Sequence, residues 1–198
     1  TALELLLSDH LGDCLAPCQL ACPLHLDIPV MIRHLQTGRA AEAIAAIKET
    51  VALPATLGCI CACPAEQGCR RAQLDGAVAI CALQRFAAEA DLVSDAPILP
   101  SCAPDTSKRV AVIGAGPAGL SAAYHLRRQG HAVTVFDRNI AAGGSLRQVP
   151  EEALPPAVLD AEIAVIDRMG VAFQLAATID AFDELRHDYS AVLIAVGE

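Results

Sequence analysis

With 198 residues, 54% of them apolar, the chain can bury a substantial core and is not a disordered segment. Its formal net charge of −9, with 14 Lys and Arg scattered along the sequence, excludes a nucleic-acid binder, because phosphate recognition needs clustered basic residues. Two charge-free stretches, 50–65 and 110–126, are broken by Pro54 and Pro64 or by Gly114, Gly116, Pro117 and Gly119. Each falls short of the roughly 20 apolar residues that span a bilayer, so no membrane span is expected. No basic leader with a small-residue cleavage site opens the sequence, and a cytoplasmic location is expected. The start at Thr1 and the stop just after an apolar run read as cuts through a longer protein.

Taken in chain order, residues 1–9 predict a short apolar helix. Asp27 is placed as an N-cap with Pro29 in the first turn of a helix that stops near Gly38. Residues 39–50 continue helical, with Ile44 and Ile47 on one face. In 77–91, Ile80, Leu83 and Ala87 share a core face at the i, i+3, i+7 spacing. Two cysteine runs between these helices are expected to be loops. Pro97, Pro100 and Pro104 mark a linker. Beyond it the pattern alternates: strand 109–113, helix 117–130, strand 132–137, helix 156–169, strand 171–175 and strand 191–196. Strands alternating with helices imply a right-handed parallel sheet. The expected organisation is an α-helical domain over 1–94, a linker over 95–107, and part of an α/β Rossmann-like domain over 108–198.

The run Val110-Ala-Val-Ile-Gly114-Ala-Gly116-Pro117-Ala118-Gly119 is strand, turn and helix start in one line. Gly114 permits the tight turn, Gly116 lets the backbone approach a pyrophosphate, and Gly119 allows close packing of helix on strand. A diphosphate then meets the free N–H groups and positive end of that helix. Asp137 closes the second strand, 18 residues beyond Gly119, where an acid accepts ribose hydroxyls. Asp137 there, rather than a basic residue, argues against a ribose phosphate. Pro117, Arg138, and the later Gly143-Gly144-Ser-Leu146-Arg147 segment resemble FAD sites more than simple NAD sites.

Eight of the nine cysteines precede the linker. Cys14, Cys18 and Cys22 recur every fourth residue, with Pro23 behind them; Cys59, Cys61 and Cys63 alternate before Pro64, and Cys69 follows. A run closing in C-x3-C-P is similar to the end of bacterial ferredoxin motifs, where thiolates hold 4Fe–4S clusters. The prolines are expected to keep these loops out of helix. Two such clusters need eight ligands and the runs supply seven thiolates, with His10 or Gln84 as the eighth. Structural zinc favours C-x2-C pairs, which neither run contains. An odd cysteine count without a leader argues against a disulfide framework. Cys81 and Cys102 stand apart and are expected to be buried or incidental thiols. No acid–base or nucleophile constellation is visible, so no catalytic residue is assigned.

The first run, Pro54-Ala-Thr-Leu-Gly58, Cys69-Arg-Arg and Val78-Ala-Ile-Cys-Ala-Leu83-Gln-Arg-Phe86 resemble the N-terminal domain of the glutamate synthase small subunit and of dihydropyrimidine dehydrogenase. Gly143-Gly144-Ser-Leu-Arg147 and residues 191–197 resemble the FAD domain of the same family. The resemblance implies two 4Fe–4S clusters with crossed ligation: Cys14, Cys18 and Cys69 for one, Cys22, Cys61 and Gln84 for the other. It implies FAD on the glycine turn and Asp137, and other subunits or domains of a larger oxidoreductase as partners. Three cysteines stand in the first run where the family has four, and Ala65 stands at a position that is usually cysteine, so Cys59 or Cys63 takes over a ligand place or one cluster is altered. The function implied is electron transfer between FAD and clusters in an NAD(P)H-dependent enzyme. On that view the piece alone has no NAD(P)H oxidation activity. The rival is a non-catalytic docking module stapled by clusters or zinc.

Overall fold

The computed structural model describes residues 15–179 and 182–197. The helix expected at 1–9, His10 and Cys14 lie outside the described residues.

The amino-terminal half is helical: α1 (Pro17–Ala21), α2 (Ile28–Gln36), α3 (Ala40–Lys48), α4 (Pro54–Ile60), α5 (Pro64–Gln67), a 3-10 turn (Arg70–Gln73) and α6 (Ile80–Leu92). Asp27 caps α2 as its position suggests, its Oδ1 accepting the Val30 N–H at 3.2 Å. Met31, Ile44, Ile47, Ile80 and Ala87 form the buried centre of one core. One expectation fails here. The cysteine runs are not loops throughout: Cys18 lies within α1 and Cys59 within α4. Pro17, Pro54 and Pro64 begin helices, because the fixed φ and missing N–H of proline suit a first helical turn.

The carboxyl-terminal half is a four-stranded parallel sheet, ordered β3-β2-β1-β4, of β1 (Arg109–Ile113), β2 (Ala132–Phe136), β3 (Ala172–Gln174) and β4 (Ala191–Ile194). Val112 sits level with Val135 on one side and with Leu193 on the other. The central strand β1 is buried over four of its five residues, as a parallel strand covered on both faces must be. Helices α7 (Pro117–Arg128) and α8 (Pro156–Arg168) connect the strands. A further helix, α9 (Phe182–Asp188), was not expected; its Leu185 packs with Ile113 and Phe136.

Polar contacts tie the helical half to the proline-rich connection and to the sheet half. Lys48 and Asp91 form an ion pair at 2.5 Å with both side chains 4% exposed. Lys48 also donates to the Ile98 carbonyl at 2.7 Å, while Asp91 accepts the Ile98 N–H at 2.9 Å, so the proline-rich connection is pinned down. From α7, the Tyr124 hydroxyl donates to the Lys48 carbonyl, and Arg128 pairs with Glu49. Leu53 belongs to the same core cluster as Val112, Tyr124 and Ile166. Among the described residues no helix is long and apolar enough to cross a membrane.

Candidate functional site

Because β2 and β3 lie on one side of β1 and β4 on the other, the chain reverses direction between β1 and β4. Ligands of open α/β sheets bind at such a switch point, beyond the carboxyl ends of the strands. A cleft of about 1310 Å³ opens there, larger than the roughly 300–1,000 Å³ of ordinary small-molecule sites. Gly114, Gly116, Pro117, Ala118, Asp137, Arg138, Gly144 and Arg147 all line it, together with the chain after β4 at Ala195 and Gly197.

Two glycines show how the turn works. A Cβ on Gly119 would lie 1.8 Å from the Gly114 carbonyl oxygen, so this position is set by the contact of α7 with β1. A Cβ on Gly116, which precedes α7, would meet nothing within 4 Å, so this backbone faces open cleft at the helix start. Free N–H groups and the positive helix end make that place favourable to a diphosphate.

Asp137 does more than the sequence pattern indicates. Its Oδ2 accepts the Ala115 N–H at 2.6 Å inside the glycine turn, and its Oδ1 accepts both the backbone N–H and the side-chain amide of Asn139 at 2.8 Å. The acid braces the turn, while its position on the cleft wall leaves its remaining lone pairs to meet hydroxyls. The Gly143 N–H donates to the Ala115 carbonyl at 2.7 Å, which stitches the second glycine segment to the first. Leu146 is buried in the core and anchors this segment from beneath. Arg147 is held by Asp160 at 2.6 Å and by the Ala142 carbonyl.

The cysteines divide into groups. Gly68 packs so closely on α1 that a Cβ would fall 2.8 Å from the Pro17 carbonyl oxygen, which sets Cys69 beside the helix carrying Cys18. The Cys69 sulfur accepts the Val78 N–H at 3.5 Å; this bond, with those from the Arg71 and Ala72 backbone, pulls its thiol below the ordinary value. N–H donors of this kind stabilise thiolates and tune cluster sulfurs. Cys18 and Cys22 pack at the edge of the helical core. Cys59 packs instead against the sheet-domain core, where burial pushes its thiol up. Gln84 is buried, with its Nε2 donating to the Pro54 carbonyl at 2.9 Å.

Cys81 corrects the expectation that it stands apart. The sulfurs of Cys61, Cys63 and Cys81 all lie within 4.8 Å of one another, and Cys63 and Cys81 form a disulfide, which the cysteine count had argued against. The packing of α4 on α6 folds Cys81 back onto the second run, a closure that spacing along the chain does not display. The signal was present in a weaker form, since Cys81 lies three residues before Gln84 on one helix face. Cys102 does stand apart and is exposed.

A parallel sheet with a glycine turn and an acid at its switch point, joined to a helical unit rich in thiolates, defines an iron–sulfur flavoprotein. Residues 12–95 match the family described as dihydropyrimidine dehydrogenase domain II, 4Fe-4S cluster, and residues 109–151 match the FAD dependent oxidoreductase family. The chain is thus similar to iron–sulfur flavoproteins that join these two domains. It is 38% identical to the NADP(+)-dependent formate dehydrogenase subunit beta of Moorella thermoacetica, over 92% of this chain and 29% of that protein. It is 38% identical to the NAD-dependent dihydropyrimidine dehydrogenase subunit PreT of Escherichia coli O157:H7, over 92% of this chain and 45% of that one. It is 33% identical to the NADPH-Fe(3+) oxidoreductase subunit beta of Geobacter sulfurreducens, over 92% of this chain and 28% of that one. The chain thus spans less than half the length of these relatives.

Proposed function

We propose that the chain is the electron-transfer module of an NAD(P)H-dependent iron–sulfur flavoprotein oxidoreductase, working in the cytoplasm with other subunits or domains of a larger complex. Bound FAD and 4Fe–4S clusters supply the redox chemistry, exchanging hydride for single electrons, and the protein positions them. In this reading Gly114, Gly116, Pro117, Ala118 and Gly119 form the diphosphate turn. Asp137 braces that turn and meets the ribose, and Arg138, Gly144, Leu146 and Arg147 shape the outer wall. Cys14, Cys18, Cys22, Cys59, Cys61, Cys63, Cys69 and Gln84 are the pool from which iron ligands come, with the N–H groups around Cys69 holding it as thiolate. The thiolate-rich donor set, with hydrogen bonds aimed at sulfur, fits iron–sulfur clusters.

What supports electron transfer most is the seating of α4. Leu53, Cys59 and Ile60 pack into the core beneath the flavin cleft, while Cys61 and Cys63 continue directly from the same helix. The cysteine runs and the cleft are therefore parts of one packed body. A reducing compartment suits free thiolates. A second reading has support in the Cys63–Cys81 disulfide, which makes the cysteine region a structural staple and the chain a docking module. An anaerobic redox titration of the chain loaded with iron, sulfide and FAD separates the two. Reversible reduction of both chromophores supports the conduit, and absorbance that never bleaches reversibly leaves the staple.

A further inference from the structure

From the convergence of three sulfurs at the ends of α4 and α6, we infer that Cys81 is an iron ligand, held with Cys61 and Cys63 on one cluster. This rests on the cluster-bearing reading above and goes beyond it, since Cys81 lies in neither cysteine run.

Several local features prepare the site. Cys63 adopts a left-handed backbone (φ 55°), which few residues other than glycine accept, and this turns the chain sharply between Cys61 and α5. The Cys63 N–H donates to the Cys61 sulfur at 3.3 Å, a donor on sulfur of the kind that stabilises thiolate. Cys81 is the second residue of α6, a 13-residue helix whose first-turn N–H groups favour negative charge. Its own N–H is fixed by Glu66 Oε1 at 3.0 Å, which ties the start of α6 to the short helix that Cys63 opens. Three sulfurs thus approach one point, two from the connection between α4 and α5 and one from the first turn of α6.

The same sulfurs serve two states. In the structure Cys63 and Cys81 share a disulfide. Loading requires a dithiol reductant: the S–S bond breaks, the dithiol is oxidised to its own disulfide, and each freed thiol gives its proton to solvent as the sulfur binds iron. Electrons and protons balance for the freed thiols, and equal amounts of ferrous and ferric iron with sulfide supply the oxidation level of a 4Fe–4S core with no further oxidant.

The test uses the full chain incubated anaerobically with a dithiol, with or without equal amounts of ferrous and ferric iron and sulfide. Iron and acid-labile sulfide are counted, and the reduced sample is examined by EPR. Wild type and Cys102→Ser are expected to carry the same iron, whereas Cys81→Ser loses about four irons with their sulfide or shows an altered signal from one cluster. Iodoacetamide footprinting of the wild type needs no variant: Cys81 is expected to be protected with iron and labelled without it. Labelling in both samples, protection in both, or a Cys81→Ser variant with wild-type iron and spectrum overturns the assignment and leaves the flavoprotein reading standing. A wild-type chain that takes up no iron and sulfide overturns both.

Discussion

Glu162 and Thr56 are joined across the two halves of the molecule: the Thr56 N–H donates to Glu162 Oε2 at 2.8 Å, and the neighbouring Ala55 N–H donates to Oε1 at 2.6 Å. Helix α4 begins at Pro54 with no side chain of its own to cap it, so a carboxylate from α8 completes its first turn. The helix that leads into Cys61 and Cys63 is therefore oriented by the flavin-side domain.

Replacing Glu162 with Gln keeps the shape but leaves one buried N–H facing an amide donor. The expected cost is about 1–3 kcal/mol of unfolding free energy, read by urea denaturation. Burial pushes the Glu162 carboxyl above its ordinary value, opposed by the Thr56 and Ala55 bonds and by Lys48. The folded state then keeps this proton to higher pH than the unfolded chain does. The group's stabilising contribution is full below the ordinary carboxylate value and is lost as pH rises through the raised one. The stability gap between wild type and Glu162→Gln should accordingly shrink as pH rises above the ordinary carboxylate range. A gap that widens with pH would contradict this.

The sequence displays some of these features and hides others for a physical reason. The Asp27 cap, the β1 run and the glycine turn are local: each is written in a few consecutive residues whose propensities agree with the fold. The helical starts at Pro54 and Pro64 run against the sequence reading because proline both breaks a helix interior and begins a helix, and neighbouring cysteines conceal which role applies. Glu162 and Cys81 act only through packing between distant segments. Glu162, 2% exposed in the structure, sits on α8 beside other charged residues such as Asp160 and Asp167, and carries no mark in the sequence that it alone will cap another helix.

Lys48 and Asp91 make a second prediction. Both are buried, and each also holds Ile98 of the proline-rich connection. Lys48→Met removes one charge and strands the other, at an expected cost of about 3–5 kcal/mol. The double change Lys48→Met with Asp91→Leu should cost clearly less than Lys48→Met alone, because no isolated charge remains. Equal losses in the single and double variants, measured by thermal unfolding, would show that the pair itself is not what matters there.

The two glycines of the turn should separate folding from binding under the same substitution. Gly119→Ala drives a methyl into the Gly114 carbonyl and should destabilise by about 1–3 kcal/mol or prevent folding. Gly116→Ala meets no protein atom and should cost under about 1 kcal/mol. Its methyl enters the place assigned to the diphosphate, so FAD affinity should fall about tenfold or more. Flavin fluorescence quenching on addition of FAD, set beside an unfolding curve for each variant, gives both readings. An unchanged FAD affinity in Gly116→Ala would move the diphosphate away from the head of α7.

Cys69 offers a test that needs no bound group. Hydrogen bonding by the Val78 N–H leads in lowering its thiol below the ordinary value; burial opposes it, and the Arg71 and Ala72 backbone bonds and the Arg71 charge add to the lowering. More of the reduced side chain is therefore thiolate near neutral pH than in a free cysteine. Since the thiolate is the nucleophile, alkylation of Cys69 by iodoacetamide should reach half its limiting rate at lower pH than N-acetylcysteine does. Val78→Pro deletes the leading donor, because proline has no N–H, and should move that midpoint back upward. The comparison is made on the reduced chain without added iron, with Cys69 followed by peptide mass spectrometry. A midpoint equal to that of N-acetylcysteine in the wild type would mean that these N–H groups do not hold the sulfur in solution, and that Cys69 is not set in advance to receive metal.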